Sequence, residues 1–161
     1  MTPAVSRTDV APVVREFVAA VWNGEDPDAI DDLTTRDFWL HQLVAESDHD
    51  RDGFRAFVDE MHAAMPDFSL VIEDLVVDGD VAIVHATMRG TPEQPMQALQ
   101  PTGESFAVNV FHKYRLEGDR IAEAWVMADA LSTLNQLGLF PPPPSMMLKL
   151  VGRKLRGRLF G

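Results

Sequence analysis

The 161-residue sequence predicts an α+β fold in which N-terminal helices pack on one face of an antiparallel sheet and a short helix closes the chain. Three observations carry this. Apolar residues recur at three- and four-residue steps before Pro66. After Pro66 the pattern changes to stretches rich in β-branched and aromatic residues. Two glycine-bearing turns, Asp78-Gly79-Asp80 and Glu117-Gly118-Asp119, then fold those stretches into hairpins.

Val10, Val13, Val14, Phe17, Ala20 and Val21 form the apolar stripe of a first helix that stops near Asn23-Gly24. Asp26-Pro27-Asp28 supplies a cap, a proline for the first turn and an early acid, so a short helix is expected through Leu33. An extended piece follows from Asp37 to Leu43. A third helix begins between Asp50 and Gly53, turns Phe54, Phe57, Val58, Met61 and Met65 inward, and stops at Pro66, whose ring and missing N–H end helices. Four strands are expected at 68–77, 81–89, 106–116 and 120–127. The connector from Gly90 to Gly103, with three prolines and two glycines, is long enough to form a rim over a pocket. A last short helix begins at Asp129 and ends at Gly138.

The length fits one domain, assigned to residues 8–138, after an N-terminal arm of residues 1–7. Residues 139–161 read as a proline-rich spacer and a basic amphipathic tail. The tail carries five cations and no acid, so the net charge of −11 becomes −16 over residues 1–140. So acidic a body repels nucleic acid. The tail is open to three readings: disordered, docked on an acidic body, or lying on an anionic membrane surface. No run approaches membrane-spanning length and the N-terminus lacks a signal peptide's apolar segment, so a cytoplasmic protein is expected. With no cysteine there is no thiolate nucleophile and no cysteine-ligated metal. Asp48, Asp50, Asp52, Gly53 and Asp59 follow the spacing of a calcium loop, but Asp59 stands where Glu is usual and Arg55 where an apolar residue is usual, and no metal is assigned.

Pro66-Asp67 ahead of an alternating strand, Gly79-Asp80-Val81, Gly90-Thr91, Pro101-Thr102-Gly103, Gly118 with Arg120-Ile121, Trp125, Asp129 and Gln136-Leu137-Gly138 share one order and spacing. In these residues the chain resembles the SnoaL-like polyketide cyclase, or ester cyclase, family over roughly residues 10–138. The resemblance implies the cone-shaped α+β barrel of nuclear transport factor 2, with a strongly curved sheet around a pocket. It also implies ring closure by intramolecular aldol condensation without a cofactor, Asp129 as the acid/base, and pairing of subunits into a dimer or tetramer. Pro92 follows Gly90-Thr91 where the family often has a histidine, and the rim from Met96 to Gln100 departs from its usual glycine-bearing stretch.

Aldol closure needs a proton removed alpha to a carbonyl, a stabilised enolate and a proton returned to the new alkoxide. A free aspartate titrates near ~3.9 and is a poor base unless apolar surroundings raise its pKa. Phe106, Trp125, Met127 and Leu131 are the residues available for that. The plainer role of Asp129 is to cap the helix that follows it. His41, His85 and His112 sit in extended segments where alternate side chains can face a cone interior, and each can equally be a hydrogen-bonded structural histidine. Phe106, His112 and Tyr114 share one strand face, and Trp125 is bulky enough to wall a planar ligand or to fill a core. The substrate-binding set is therefore His41, His85, His112, Trp125, Tyr114 and Phe106, around a small hydrophobic substrate. Two functions stay open: a cyclase-like lyase or isomerase centred on Asp129, or a non-catalytic small-ligand-binding or oligomerisation domain of the same fold.

Overall fold

In a computed structural model the described residues are 10–43, 47–96 and 100–140. The expected arm at 1–7 and the tail from 141 onward lie outside them. Helix α1 (Ala11–Phe17) has Pro12 in its first turn and widens into a π-helical turn over Val18–Trp22, where the Asn23 N–H donates to the Val18 carbonyl at 2.9 Å. Asn23 then ties the helix to the sheet. Its Nδ2 donates to the Leu70 carbonyl at 3.0 Å, and its Oδ1 accepts from the Leu70 N–H at 2.7 Å. Gly24 turns the chain with φ +72°, a conformation that costs a side chain and suits glycine.

A 3₁₀ turn (Pro27–Ala29) runs into the four-residue helix α2 (Ile30–Leu33). Asp26 holds the cap position without a side-chain bond, so the proline and backbone start this helix alone. Strand β1 (Thr34–Gln42) begins earlier than the expected extended piece. It is followed by a strand not foreseen in the sequence, β2 (Ser47–Asp50). Asp50 caps α3 (Arg51–Ala64) by accepting from the Gly53 N–H at 2.8 Å. Asp48, by contrast, turns to His41, so the stretch with calcium-loop spacing is built as strand, cap and helix.

Strands β3 (Ser69–Asp78), β4 (Val81–Gly90), β5 (Phe106–Glu117) and β6 (Arg120–Ala128) lie where the alternation places them. The six strands form one sheet in the order β2-β1-β6-β5-β4-β3. Every pairing is antiparallel except β1 with β6, which is parallel. Register shifts between Ile72 and Asp74 and between Arg115 and Leu116 bend the strands, which curls the sheet around α1 and α3. Phe17 is the centre of the enclosed core: its ring lies 5.9 Å from Phe54, 6.4 Å from Phe38 and 5.7 Å from Tyr114. Small inner-face residues, Ala82, Ala86 and Ala124, make room for those rings.

Helix α4 (Ala130–Gln136) crosses the open end. The Gln136 amide pairs with both backbone groups of Ala107, at 2.8 and 3.1 Å, and Leu137 is fully buried. The 90–103 connector is anchored by Asp67, which accepts from the Thr91 N–H at 2.8 Å and from its hydroxyl at 2.7 Å.

Candidate functional site

The inward stripe of α3 does not fill the open end of the cone. Phe57 and Met61, with Met65 and Phe68 just beyond the helix, face Met88 of β4, Phe106 of β5 and Met96 of the connector across a cavity of about 150 Å³. Gln42 at the end of β1 and Thr133 of α4 supply its polar side chains. Unbranched thioethers adapt to irregular shapes, so this lining suits an apolar guest of ring size. Among the described residues no charged side chain lines it.

Of the expected site residues only Phe106 lines this cavity. His112 and Tyr114 face inward on the same strand, as expected, but deeper in the core, where the Tyr114 hydroxyl and His112 Nδ1 are 2.9 Å apart. Burial lowers the His112 pKa to about 3 and pushes Tyr114 upward, so both are neutral at ordinary pH. The Trp22 indole lies edge-on to His112 with ring centres 5.2 Å apart. Its N–H is directed toward the Tyr114 hydroxyl, which works weakly against the burial effect, but it closes no hydrogen bond of ordinary geometry.

His41, His85 and Trp125 lie on the opposite face of the sheet, correcting the expectation that these strands present them to the interior. The reason is parity. Phe38 and Leu40 take the inner positions of β1, Ala82, Val84 and Ala86 those of β4, and Ala124 that of β6, so the intervening residues point out. His41 bridges Asp48 through Nδ1 and Glu123 through Nε2, both at 3.0 Å, and stacks on Trp125. Burial alone would lower its pKa, but the two carboxylates outweigh that and leave it raised. Lys113 Nζ sits 4.4 Å from the Trp125 ring centre. His85 stacks on Phe111 and bonds to Asn109 at 2.8 Å. Trp125, Phe111, Ile83, Leu43 and Met127 thus wall a shallow outer groove of about 260 Å³, separate from the cavity at the open end of the cone.

Asp129 is exposed and caps α4. One carboxylate oxygen accepts from the Ser132 N–H at 3.0 Å and the other from its hydroxyl at 2.7 Å. The Ser132 backbone and side-chain bonds hold its pKa below the usual carboxylate value, opposite to the rise expected from apolar surroundings. The residues meant to raise it are elsewhere: Met127 and Leu131 are exposed, Trp125 lies on the outer face and Phe106 in the cavity. Asp129 nonetheless stands one helical turn from Thr133, whose hydroxyl donates to the Asp129 carbonyl at 2.9 Å.

Gln42, Met88, Met96 and Thr133 were not singled out from the sequence. The inward phase of Met61 and Met65 was legible, but Gln42 ends a strand whose polar terminus resembles a loop. Among the described residues no group of three or more His, Asp or Glu is placed to hold a metal, and no helix is long and apolar enough to cross a membrane.

Together, fold and cavity define a cone-shaped α+β domain with a small, mostly apolar cavity at its open end. The sequence pattern of the SnoaL-like polyketide cyclases matches residues 12–137, and the chain belongs to that family. Among solved structures it is similar to TsrD from Streptomyces laurentii, with 27% identity and a TM-score of 0.71 over 83% of this chain and 98% of that one. It is also similar to IdmH from Streptomyces antibioticus, a proposed polyketide cyclase: 24% identity, TM-score 0.72, 81% of this chain and 99% of that one. A protein with a ketosteroid isomerase-like fold from Catenulispora acidiphila matches at 20% identity and TM-score 0.67 over 80% and 94% of the two chains. No curated protein sequence matches the chain.

Proposed function

We propose that this chain is a cyclase-type enzyme that binds a small, neutral, polyketide-like substrate in the Met- and Phe-lined cavity and performs acid/base ring closure, or a related isomerase or lyase reaction, without a cofactor. The observation that carries the reading is the cavity itself: mostly apolar, without a charged side chain among its described lining residues, and walled by the helix that Asp129 begins. Family membership supports cyclase-type chemistry.

Asp129 is the acid/base in this reading. As the capped carboxylate it is a weak base. Acting on a substrate requires it to give up the Ser132 bonds, and the same release removes the two interactions that depress its pKa. A second reading, a ligand-binding domain without chemistry, is favoured by one observation: both oxygens of Asp129 are engaged in the cap.

Asp129→Asn separates the two, because asparagine caps helices about as well as aspartate but cannot transfer the proton. With ring closure of a β-dicarbonyl substrate panel as the assay, the enzyme reading expects a loss on the order of 10²–10⁴-fold with the fold intact. Equal turnover by the two proteins, or none in the parent, moves the assignment to the binding domain.

Self-association and a cytoplasmic location go with this proposal. The outer face exposes Trp39, Ile83, Phe111 and Met127 beside Trp125, a patch suited to a second copy, with Asn109, Lys113 and Arg115 at its rim. Sedimentation showing only monomer at micromolar concentration would remove the self-association.

A further inference from the structure

Gln42 ends β1 on the same inner face as Phe38 and Leu40, opposite Ser47 of β2 and Val126 of β6. Its amide is not symmetric in its surroundings. The Ser47 hydroxyl donates to Oε1 at 3.4 Å, and in this orientation of the amide the NH₂ group has no partner among the described residues.

The rest of the lining offers little to a polar ligand. Thioethers and phenyl rings donate nothing, and the Thr133 hydroxyl already donates to the Asp129 carbonyl. The Gln42 NH₂ is therefore the uncommitted N–H donor among these lining side chains. A hydrocarbon covering it would strip its water and return no bond. A carbonyl oxygen would satisfy it, and this asymmetry is the larger part of hydrogen-bond selectivity.

Building on the reading of this cavity as the ligand site, we propose that Gln42 hydrogen-bonds a carbonyl oxygen of the ligand, so that the cavity selects a ring-sized ketone over a hydrocarbon of the same shape. The choice of carbonyl over carboxylate follows from charge: Arg89 and Lys113 lie on the outer side of the sheet, and an anion in the cavity would meet no cation among the described lining residues. The same N–H placed on a carbonyl oxygen stabilises the enolate formed when an alpha proton leaves, so Gln42 serves binding and proton abstraction through one contact.

The test uses the full chain with methyl-labelled methionine and two matched pairs, 1-indanone with indane and 1-tetralone with tetralin, followed by methyl NMR and calorimetry. The ketones are expected to bind the parent roughly tenfold more tightly than the hydrocarbons, which is about 1.4 kcal/mol, and to shift methionine methyl resonances. Gln42→Met, of similar volume, should hold indane at least as well as the parent and reduce the ketone preference to within about twofold. Gln42→Glu keeps the shape, replaces the NH₂ group by oxygen and should lose the ketone as well. A ketone preference unchanged in both variants, or absent in the parent while both ligands bind, overturns the role of Gln42 and leaves the cavity standing. If none of the four ligands moves a methionine methyl, the cavity assignment falls and the proposal with it.

Discussion

Ser132 supplies both hydrogen bonds that the Asp129 side chain accepts, one from its backbone N–H at 3.0 Å and one from its hydroxyl at 2.7 Å. A single residue thus fixes the orientation of the carboxylate, starts α4 and depresses the Asp129 pKa. The folded-state pKa lies below the unfolded value. The stabilisation from this cap is therefore present above the ordinary carboxylate pKa and lost as pH falls through the depressed one. Ser132→Ala, which removes the hydroxyl and keeps the N–H, should raise the Asp129 pKa toward its ordinary value in a carbon-detected NMR titration. If Asp129 acts as a base, the acidic limb of the pH–rate profile should move upward with it.

The core histidine gives a second pH dependence with a different window. His112 is held neutral by burial, its pKa lowered from 6.5 to about 3. Below pH 6.5 the unfolded chain takes up a proton that the folded one refuses, so stability falls through this window by up to about 1.4 kcal/mol per pH unit. Urea denaturation at a series of pH values should show His112→Gln losing less stability than the parent between neutral pH and pH 4.

On the outer face the sign reverses. His41 has a raised pKa because Glu123 and Asp48 flank its two ring nitrogens and together outweigh the effect of burial. Its contribution is fully present below 6.5 and is lost as pH rises through the raised value. Thermal melts between about pH 6 and 8 should fall more steeply for the parent than for His41→Gln. Proton NMR of the imidazole should titrate above the free-histidine value; a titration at or below that value would contradict the bridge.

Gly90 ends β4 against Met65, and a methyl group added there would sit 3.0 Å from the Met65 sulfur. Met65 lines the cavity, so Gly90→Ala should push its side chain into that space. The expected result is weaker binding of indane and 1-indanone, by about fourfold or more for a lost methylene-sized volume, with the far-UV circular dichroism unchanged. Unchanged affinity would mean that Met65 yields outward.

Phe17→Ala should be the most damaging of these changes, since it empties the position against which Phe38, Phe54 and Tyr114 pack. A loss of roughly 3–5 kcal/mol is expected from the urea midpoint.

The strand reading succeeded where one face is wet and the other dry. On β5 the alternation of Phe106, Val108, Val110, His112 and Tyr114 with exposed neighbours specifies both strand and phase. It failed on β1 and β4 because apolar residues occupy both faces there: Trp39 and Ile83 are exposed, so His41 and His85 carried no sign of which side they take. Strand β2 was hidden for another reason. Its four residues, Ser47-Asp48-His49-Asp50, have no strand propensity and pair only because β1 is beside them.

By itself the sequence determined the α+β order, the hairpin turns at Gly79 and Gly118, the inward stripe of α3 and the family resemblance. All of these are local patterns repeated often enough to outweigh their exceptions. Only the tertiary structure decided which side chains share the cavity. Gln42, Met61, Met96, Phe106 and Thr133 come from five separate segments, and they meet only because the sheet curls and α4 crosses its open end. It also decided the state of Asp129, since a carboxylate's basicity depends on the partners that reach it, and here both of its oxygens are taken by Ser132.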